Sequence, residues 1–392
     1  MTDQQPDHVV VLGGGIFGSS SAAQLARRGV RVTLVTEGAL ASGASGRSLA
    51  WLNAAWKWPQ PYYAIRVAGI DRWRTWAARH PGSFRYLRFT GGLMWADEDD
   101  GESLRDLYAL QRDRGYDAQW VDRDRISRVA PGVDPSAVAA EGAIFNPGEG
   151  WVNLPSVIRL LADEVVELGG TIVEDAGPSQ PVVLDGRATG VRTAAGHEIT
   201  ADAVLLATGP SVPHQLTELG VRIGTSSPPA FVAFTAPIDI PLEVTLNTPH
   251  VAIRRTVDGG IAMDSGWSER SIQVAEDGSL QIADEVVDRL MDEAARVLEG
   301  HPKLELVRIG SGYKPVPADG EPVYGRIAQV PGLYVAFSHS GATQGLIAGE
   351  LIADEIATGY VSPLMAPFRP ERFGQWASGM AGDLLSKTNK LS

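Results

Sequence analysis

The 392-residue sequence predicts an α/β protein: a Rossmann-like nucleotide-binding domain plus a second domain with a mixed or antiparallel sheet and helices. Three observations predict it. Residues 9–37, VVVLGGGIFGSSSAAQLARRGVRVTLVTE, run from an apolar stretch through three glycines into a small-residue helix, then to a second apolar stretch that ends in an acid. That is half of a βαβ unit. Residues 332–359, GLYVAFSHSGATQGLIAGELIADEIATG, repeat the order of buried strand, small-residue turn and helix. Between them, residues 228–313 hold several strand-like runs and one helical stretch near 281–299.

The elements follow in order. HVVVL (8–12) reads as a buried parallel strand, Gly13–Gly18 as the turn, and the helix runs to about Arg28, where Gly29 stops it before VRVTLV (30–35). Residues 61–79 carry apolar positions at helical spacing, with Pro61 in the first turn. Residues 84–96 alternate and break at Gly91-Gly92, as a hairpin would. Leu154 to Leu168 reads as an amphipathic helix with Pro155 near its start and Gly169-Gly170 at its end, and 171–173 as a short strand. Residues 181–206 read as a meander ending in the apolar ADAVLLATGP. LYVAF (333–337) is a buried strand, and a helix runs from about Thr343 to Thr358. The tail after Trp376 is richer in Gly, Ser and Lys.

Composition excludes several classes. A hydrophobic fraction of 44% and a charged fraction of 21% are those of a globular enzyme. The net charge of −13 argues against nucleic acid or anionic membrane as partner, since both need clustered Lys and Arg. The absence of cysteine removes disulfides, zinc thiolate sites and thioether links to a cofactor. No apolar run of about 18 residues exists, and the polar, acidic MTDQQPDH start does not read as a signal peptide, so a cytoplasmic location is expected.

The glycine turn carries the first functional signal. In Gly13-x-Gly15-x-x-Gly18 the first glycine makes the turn, the second admits a diphosphate to the backbone, and the third lets helix and strand pack. Exposed N–H groups and the helix dipole hold the anion, and Ile16 and Phe17 open that helix. Glu37, at the end of the second strand, suits ribose hydroxyls and repels a 2′-phosphate, which disfavours NADP. The unit leaves NAD and FAD open.

Four further segments bear on that choice: ASGASGRSLAWL (41–52), EGAIFNPGEGWVNLPSVIRLLADEVVELGGTIVE (141–174), ADAVLLATGP (201–210), and GYKPVPADGEPVYG (312–325) followed by 332–359. With the N-terminal unit they resemble, in order, the D-amino acid oxidase, glycine oxidase and sarcosine oxidase superfamily of flavoproteins, through about Phe373. The resemblance implies FAD in a discontinuous domain (1–79, 146–217 and 323–376) beneath a substrate-binding domain (80–145 and 218–322), with 377–392 as a C-terminal tail. It implies non-covalent FAD here, because there is no Cys and Arg47 stands where a His would be expected. Along the flavin loop it points to Ser45, Arg47, Ser48, Leu49, Ala50 and Trp51. Beside the cofactor it points to Ser179, Thr208 and Gly209, and at the start of the last helix to Gly341, Ala342, Thr343 and Gln344.

For the substrate side, amino-acid-oxidising relatives often carry Gly-x-Arg-Pro where this chain has Gly312-Tyr313-Lys314-Pro315. Lys314 keeps the charge of a carboxylate-binding Arg without its planar fork, or serves a substrate that lacks an α-carboxylate. His339, Tyr313, Trp51 and, on the strand pair 250–263, His250, Arg254 or Met263 are the other pocket candidates. Trp56 and Trp58 flank Lys57 as possible walls, whereas Trp73 and Trp76, at helical spacing, read as core. The implied chemistry is hydride removal from a carbon bearing nitrogen, giving an imine that hydrolyses, with oxygen or another acceptor reoxidising the flavin. The alternatives are C–O or C–C oxidation of another metabolite, or a flavin-bearing subunit of a multi-chain dehydrogenase; a homo-oligomer is also open.

Overall fold

The structure is a computed structural model and describes residues 5–97 and 101–374. Val9, Val10 and Val11 are wholly buried, which is why the first strand, His8–Leu12, reads as a continuous apolar run: it lies mid-sheet with both faces covered. It pairs in parallel with Arg31–Val35 on one side and Ala203–Leu206 on the other. Thr171–Val173 and Leu333–Phe337 extend the sheet in parallel, and Val323–Arg326 closes it as an antiparallel edge. The helix Ile16–Arg27 crosses between the first two strands, starting inside the expected turn.

That helix packs against the last one, Gly341–Thr358, through small residues. A Cβ on Gly345 would overlap Ile16, and one on Gly349 would overlap Ser20. The helix Gln60–Arg79, with Pro61 in its first turn, lies against the start of Gly341–Thr358, where Gly69 touches the Thr343 carbonyl. Trp73 and Trp76 are buried in this core, as their spacing predicts. Leu154–Glu167 is capped by Asn153, whose side chain accepts from Ser156 N. Gly169 follows with φ +86°, a conformation that favours glycine.

Two sequence expectations are corrected. Residues 84–96 do not form a hairpin: Leu87–Arg88 pairs with Gly150–Val152, while Gly92–Met94 pairs with Ala143–Asn146 and Thr245–Asn247. Gly91, at φ +94°, turns the chain from one sheet into another rather than back on itself. The expected meander also divides. Gln180–Leu184, Arg187–Arg192 and Glu198–Thr200 form a three-stranded antiparallel sheet, and Ala203–Leu206 leaves it for the parallel sheet. The apolar run there serves burial on both faces, which a surface meander does not need.

The second large sheet has eight strands. Leu306–Tyr313, Pro229–Thr235, Ile261–Asp264, Ala252–Arg255 and Thr245–Asn247 run antiparallel in that spatial order. Gly92–Met94 joins in parallel, then Ala143–Asn146 and Gln119–Val121 complete it. The helix Asp284–Arg296 covers its far side with Val287, Leu290 and Ala294. The segment after Trp376 lies outside the described residues.

Candidate active site

A cleft of about 1330 Å³ separates the carboxyl ends of the parallel strands from the eight-stranded sheet. Pockets for drug-sized ligands run to roughly 1,000 Å³, so this one has room for a dinucleotide and a small second molecule. The position, outside the strand ends, is where open α/β sheets bind ligands.

At one end lies the glycine turn. Gly13, Gly15, Ile16 and Phe17 line the cleft, and Gly18 does not. A Cβ on Gly18 would overlap the Gly13 carbonyl, and one on Gly13, at φ +113°, would overlap the Ala207 carbonyl. These two glycines serve packing. Gly15 is different: it has ordinary extended backbone, and an added Cβ would meet only Ser45 Oγ, at 3.3 Å. Gly15 supplies no side-chain cap to the helix, and Ile16 N donates to Ser45 Oγ at 3.1 Å. Glu37 lines the cleft with its carboxylate exposed. Thr208 and Gly209 line it too, held by a relay in which Gln215 Nε2 donates to the Ser179 carbonyl and Thr208 Oγ1 donates to Gln215 Oε1. Ser179 itself is buried behind this relay and does not reach the cleft, because its hydroxyl bonds the Gly177 carbonyl.

The loop over this end is tied on both sides. Ser45, Ser48, Leu49, Ala50 and Trp51 line the cleft. Ala50 sits at φ 51°, a region side chains rarely adopt, with its N–H donating to Ser48 Oγ at 2.9 Å. Arg47 lines the cleft but bonds carbonyls: it donates to those of Ser42 at 2.8 Å, Gly43 at 3.3 Å and Ser311, over Gly310 and Gly312. It therefore clamps the loop to the sheet instead of projecting freely. Arg254 does not face the cleft, contrary to expectation. It is buried beneath the loop, donates to the carbonyls of Leu49 and Arg255, and lies over the Trp151 ring. Burial, with the nearby Arg308 charge, lowers its pKa to about 10, so it stays charged at neutral pH.

Beside the first helix, where a Cβ on Gly341 would meet Ile16 and Phe17, Gly341, Ala342 and Thr343 present the start of the last helix to the cleft. Its N-cap residue, Ser340, gives no side-chain cap: Ser340 Oγ bonds Tyr62 OH at 2.6 Å and accepts from Arg66. The positive end of an 18-residue helix is thus directed at the cleft. Gln344 is wholly buried and bonds Tyr324 OH at 2.6 Å, so it supports the helix from behind rather than lining the site. Arg66, which sequence reasoning missed, lines the cleft and is anchored by donating to the Asn53 carbonyl at 3.0 Å and Asn53 Oδ1 at 2.7 Å, with its guanidinium over the Trp58 ring.

The sheet forms the cleft's far wall. Tyr313 and Lys314 line it, with Tyr313 OH donating to the Gly278 carbonyl at 3.3 Å on the rim. Lys314 Nζ lies 2.5 Å from Glu269 Oε1 and 2.6 Å from Oε2. Asp264 lines the same wall, and its carboxyl is pushed up by burial and then by the Glu269 charge, with Lys314 opposing. Neither acid was expected from sequence; the only cue was a carboxylate closing the apolar strand IAMD. His339 projects into the cleft and is exposed to it; the surrounding protein, then the Lys314 and Arg66 charges, lower its pKa, so the imidazole is neutral. His250 does not join this wall. It is exposed beside a smaller pocket, 3.5 Å from Asp97, so the sequence expectation for it is corrected. Met263 is buried in the sheet core. Trp51, Trp56 and Trp58 all line the cleft with Lys57, as walls. Behind Trp51 lies another unexpected acid, Glu149, fully buried, which accepts from Tyr116 OH at 2.7 Å and is raised to about 7 by burial.

Comparison with known proteins agrees with this geometry. The family described as FAD dependent oxidoreductase, DAO, matches residues 8–355. A glycine oxidase of Geobacillus kaustophilus (strain HTA426) is 25% identical over 386 residues, covering 92% of this chain and 95% of that protein. A glycine oxidase of Pseudomonas aeruginosa is 26% identical over 346 residues, covering 85% and 89%. Among solved structures, an L-amino acid deaminase from Proteus myxofaciens in complex with anthranilate superposes with a TM-score of 0.80 at 18% identity, over 94% of each chain.

Proposed function

The chain belongs to the DAO family of FAD-dependent oxidoreductases, and from that premise we propose that it oxidises a C–N bond of an amine or amino acid. The observation that carries the reading is one continuous cleft. It joins the glycine turn at Gly15 to the uncapped helix start at Gly341, with a wall of ionisable groups facing both. The residues fit FAD. Gly15 leaves an open approach at a helix N-terminus for the diphosphate, and Glu37 offers a carboxylate for ribose hydroxyls.

Bound FAD supplies a hydride acceptor for a carbon whose neutral nitrogen lone pair assists departure. The chain's residues do the rest. The Gly341 helix start directs positive potential into the cleft, which would favour a cofactor that gains negative charge on reduction. His339 stays neutral and adds no charge to the site. Trp51, Trp56 and Trp58 wall the reacting end from water. The FAD is held without a covalent bond, a reading supported by the absence of cysteine and by an Arg47 engaged with backbone carbonyls.

The FAD-binding domain in this reading comprises 1–79, 146–217 and 323–376, and the substrate domain 80–145 and 218–322. The location proposed is cytoplasmic; among the described residues no helix is long and apolar enough to cross a membrane. The test is anaerobic mixing of purified yellow protein with primary and secondary amines and with amino acids of either hand. Bleaching, with a carbonyl compound and ammonia or amine formed one for one, supports the reading. Flavin that no amine bleaches refutes it.

A further inference from the structure

The cationic residue best placed for a substrate carboxylate is already taken. Lys314 sits at the end of the Leu306–Tyr313 strand, and both oxygens of Glu269 hold its ammonium at 2.5 and 2.6 Å. The pair is largely shielded, with side-chain exposures of 29% and 14%. Asp264 ends the Ile261–Asp264 strand on the same wall, and its carboxylate makes no hydrogen bond or ion pair among the described residues, although the Lys314 charge acts on it. One lysine against two carboxylates leaves this wall with a formal charge of −1 when all three are ionised.

That negative excess belongs to this wall and not to the cleft as a whole. Arg66 spends three of its five N–H donors on neutral oxygens of Asn53 and Ser340 and keeps its charge, and His339 is neutral. Elsewhere in the lining Arg47, Lys57 and Arg66 stand against Glu37 and Asp97. A carboxylate brought to this wall meets Asp264 with only the Lys314 that Glu269 already holds to offset it, and desolvating two like charges together is strongly unfavourable. An ammonium meets a carboxylate that no hydrogen bond or ion pair occupies among the described residues.

We infer that the substrate end of the cleft recognises a cationic amine that lacks a carboxylate beside the reacting carbon, with Asp264 as its counter-charge and Glu269 as the specificity residue that occupies Lys314. The inference rests on the C–N reading above and names its substrate class: alkylamines or polyamines, bound protonated and passing that proton to Asp264 before the freed lone pair assists hydride departure, rather than α-amino acids. Glu269 is what separates the two classes. With it, Lys314 is half of a closed pair; without it, Lys314 becomes an open carboxylate anchor.

The test uses two probes of one shape and opposite charge, neither with a hydrogen on the carbon that would be oxidised. These are tert-butylammonium and trimethylacetate, titrated into the oxidised holoenzyme at pH 8 while the flavin absorption envelope is followed. The expected result is at least tenfold tighter binding of the cation. D264N weakens the cation about tenfold. E269Q weakens the cation and strengthens trimethylacetate about tenfold, while K314M leaves trimethylacetate weak. Retained flavin and an unchanged melting temperature establish that each variant is folded, and any one folded variant is sufficient. Tighter binding of trimethylacetate by the parent, no binding of either probe, or a cation affinity that every folded variant leaves unchanged would overturn the inference. These outcomes are read without turnover. An enzyme that binds the cation but is bleached by no oxidisable amine refutes the C–N reading and leaves the cation site standing.

Discussion

Gly15→Ala separates cofactor binding from folding. The three glycines of the turn differ in what a methyl group would meet. At Gly18 it overlaps the Gly13 carbonyl, and at Gly13 it overlaps the Ala207 carbonyl in a left-handed conformation. At Gly15 the backbone is extended, φ −83° and ψ −177°, and the nearest atom is Ser45 Oγ at 3.3 Å. The folding cost of Ala at this helix N-cap is therefore about 1 kcal/mol. The cost to FAD is larger, because the methyl occupies the approach of the diphosphate to the backbone N–H groups. Losing one or two charge-assisted hydrogen bonds amounts to about 3 kcal/mol, or roughly 150-fold in Kd. The assay is fluorescence titration of the apoprotein with FAD, with urea unfolding of the apoprotein alongside. G15A should unfold within about 1 kcal/mol of the parent and bind FAD about two orders of magnitude more weakly, whereas G18A should fail to fold. A G15A protein that binds FAD within threefold of the parent would refute the reasoning.

Three further outcomes are expected. Burial raises Glu149 from an ordinary value of 4.5 to about 7. The folded state then holds a proton that the unfolded chain releases, so its stability contribution is complete below 4.5 and is lost as pH rises through 7. The apoprotein should lose about 3 kcal/mol more between pH 4.5 and 8 than E149Q does, read from urea midpoints. R254M removes the buried donor to the Leu49 carbonyl, and should weaken FAD by about 10- to 100-fold through a loosened 48–50 loop, read by the same titration. N153A removes the side-chain cap of Leu154–Glu167 and should cost about 1 kcal/mol in urea unfolding.

The parts of the fold legible in sequence are those set by local pattern. The first strand, turn and helix are written in contiguous residues, and Pro61, Asn153 and Gly169 mark helix ends by backbone chemistry alone. The misread hairpin at 84–96 failed because its partners come from residues 143–152 and 245–247, and alternation does not name a partner. The cleft's cofactor end was legible for the same local reason, save Ser179, Gln344 and Gly18, which support lining residues from behind. The substrate wall was half legible. Lys314 stands in a motif, but Glu269, on the short helix Gly266–Glu269, is 45 positions away and Asp264 ends another strand, so only the fold brings the lysine to the two acids. Arg254 and His250 share a segment, and alternation there could not tell that one goes beneath the flavin loop and the other to a neighbouring pocket.

The central claim is that this cleft holds FAD and uses it on a carbon that bears nitrogen. Anaerobic stopped-flow of the purified holoprotein tests it most directly, with a primary alkylamine and its counterpart deuterated at that carbon. The account predicts loss of the flavin's visible band at a rate that saturates with amine and slows several-fold on deuteration. A colourless protein that does not take up FAD, or a yellow one whose band no amine diminishes, would contradict it.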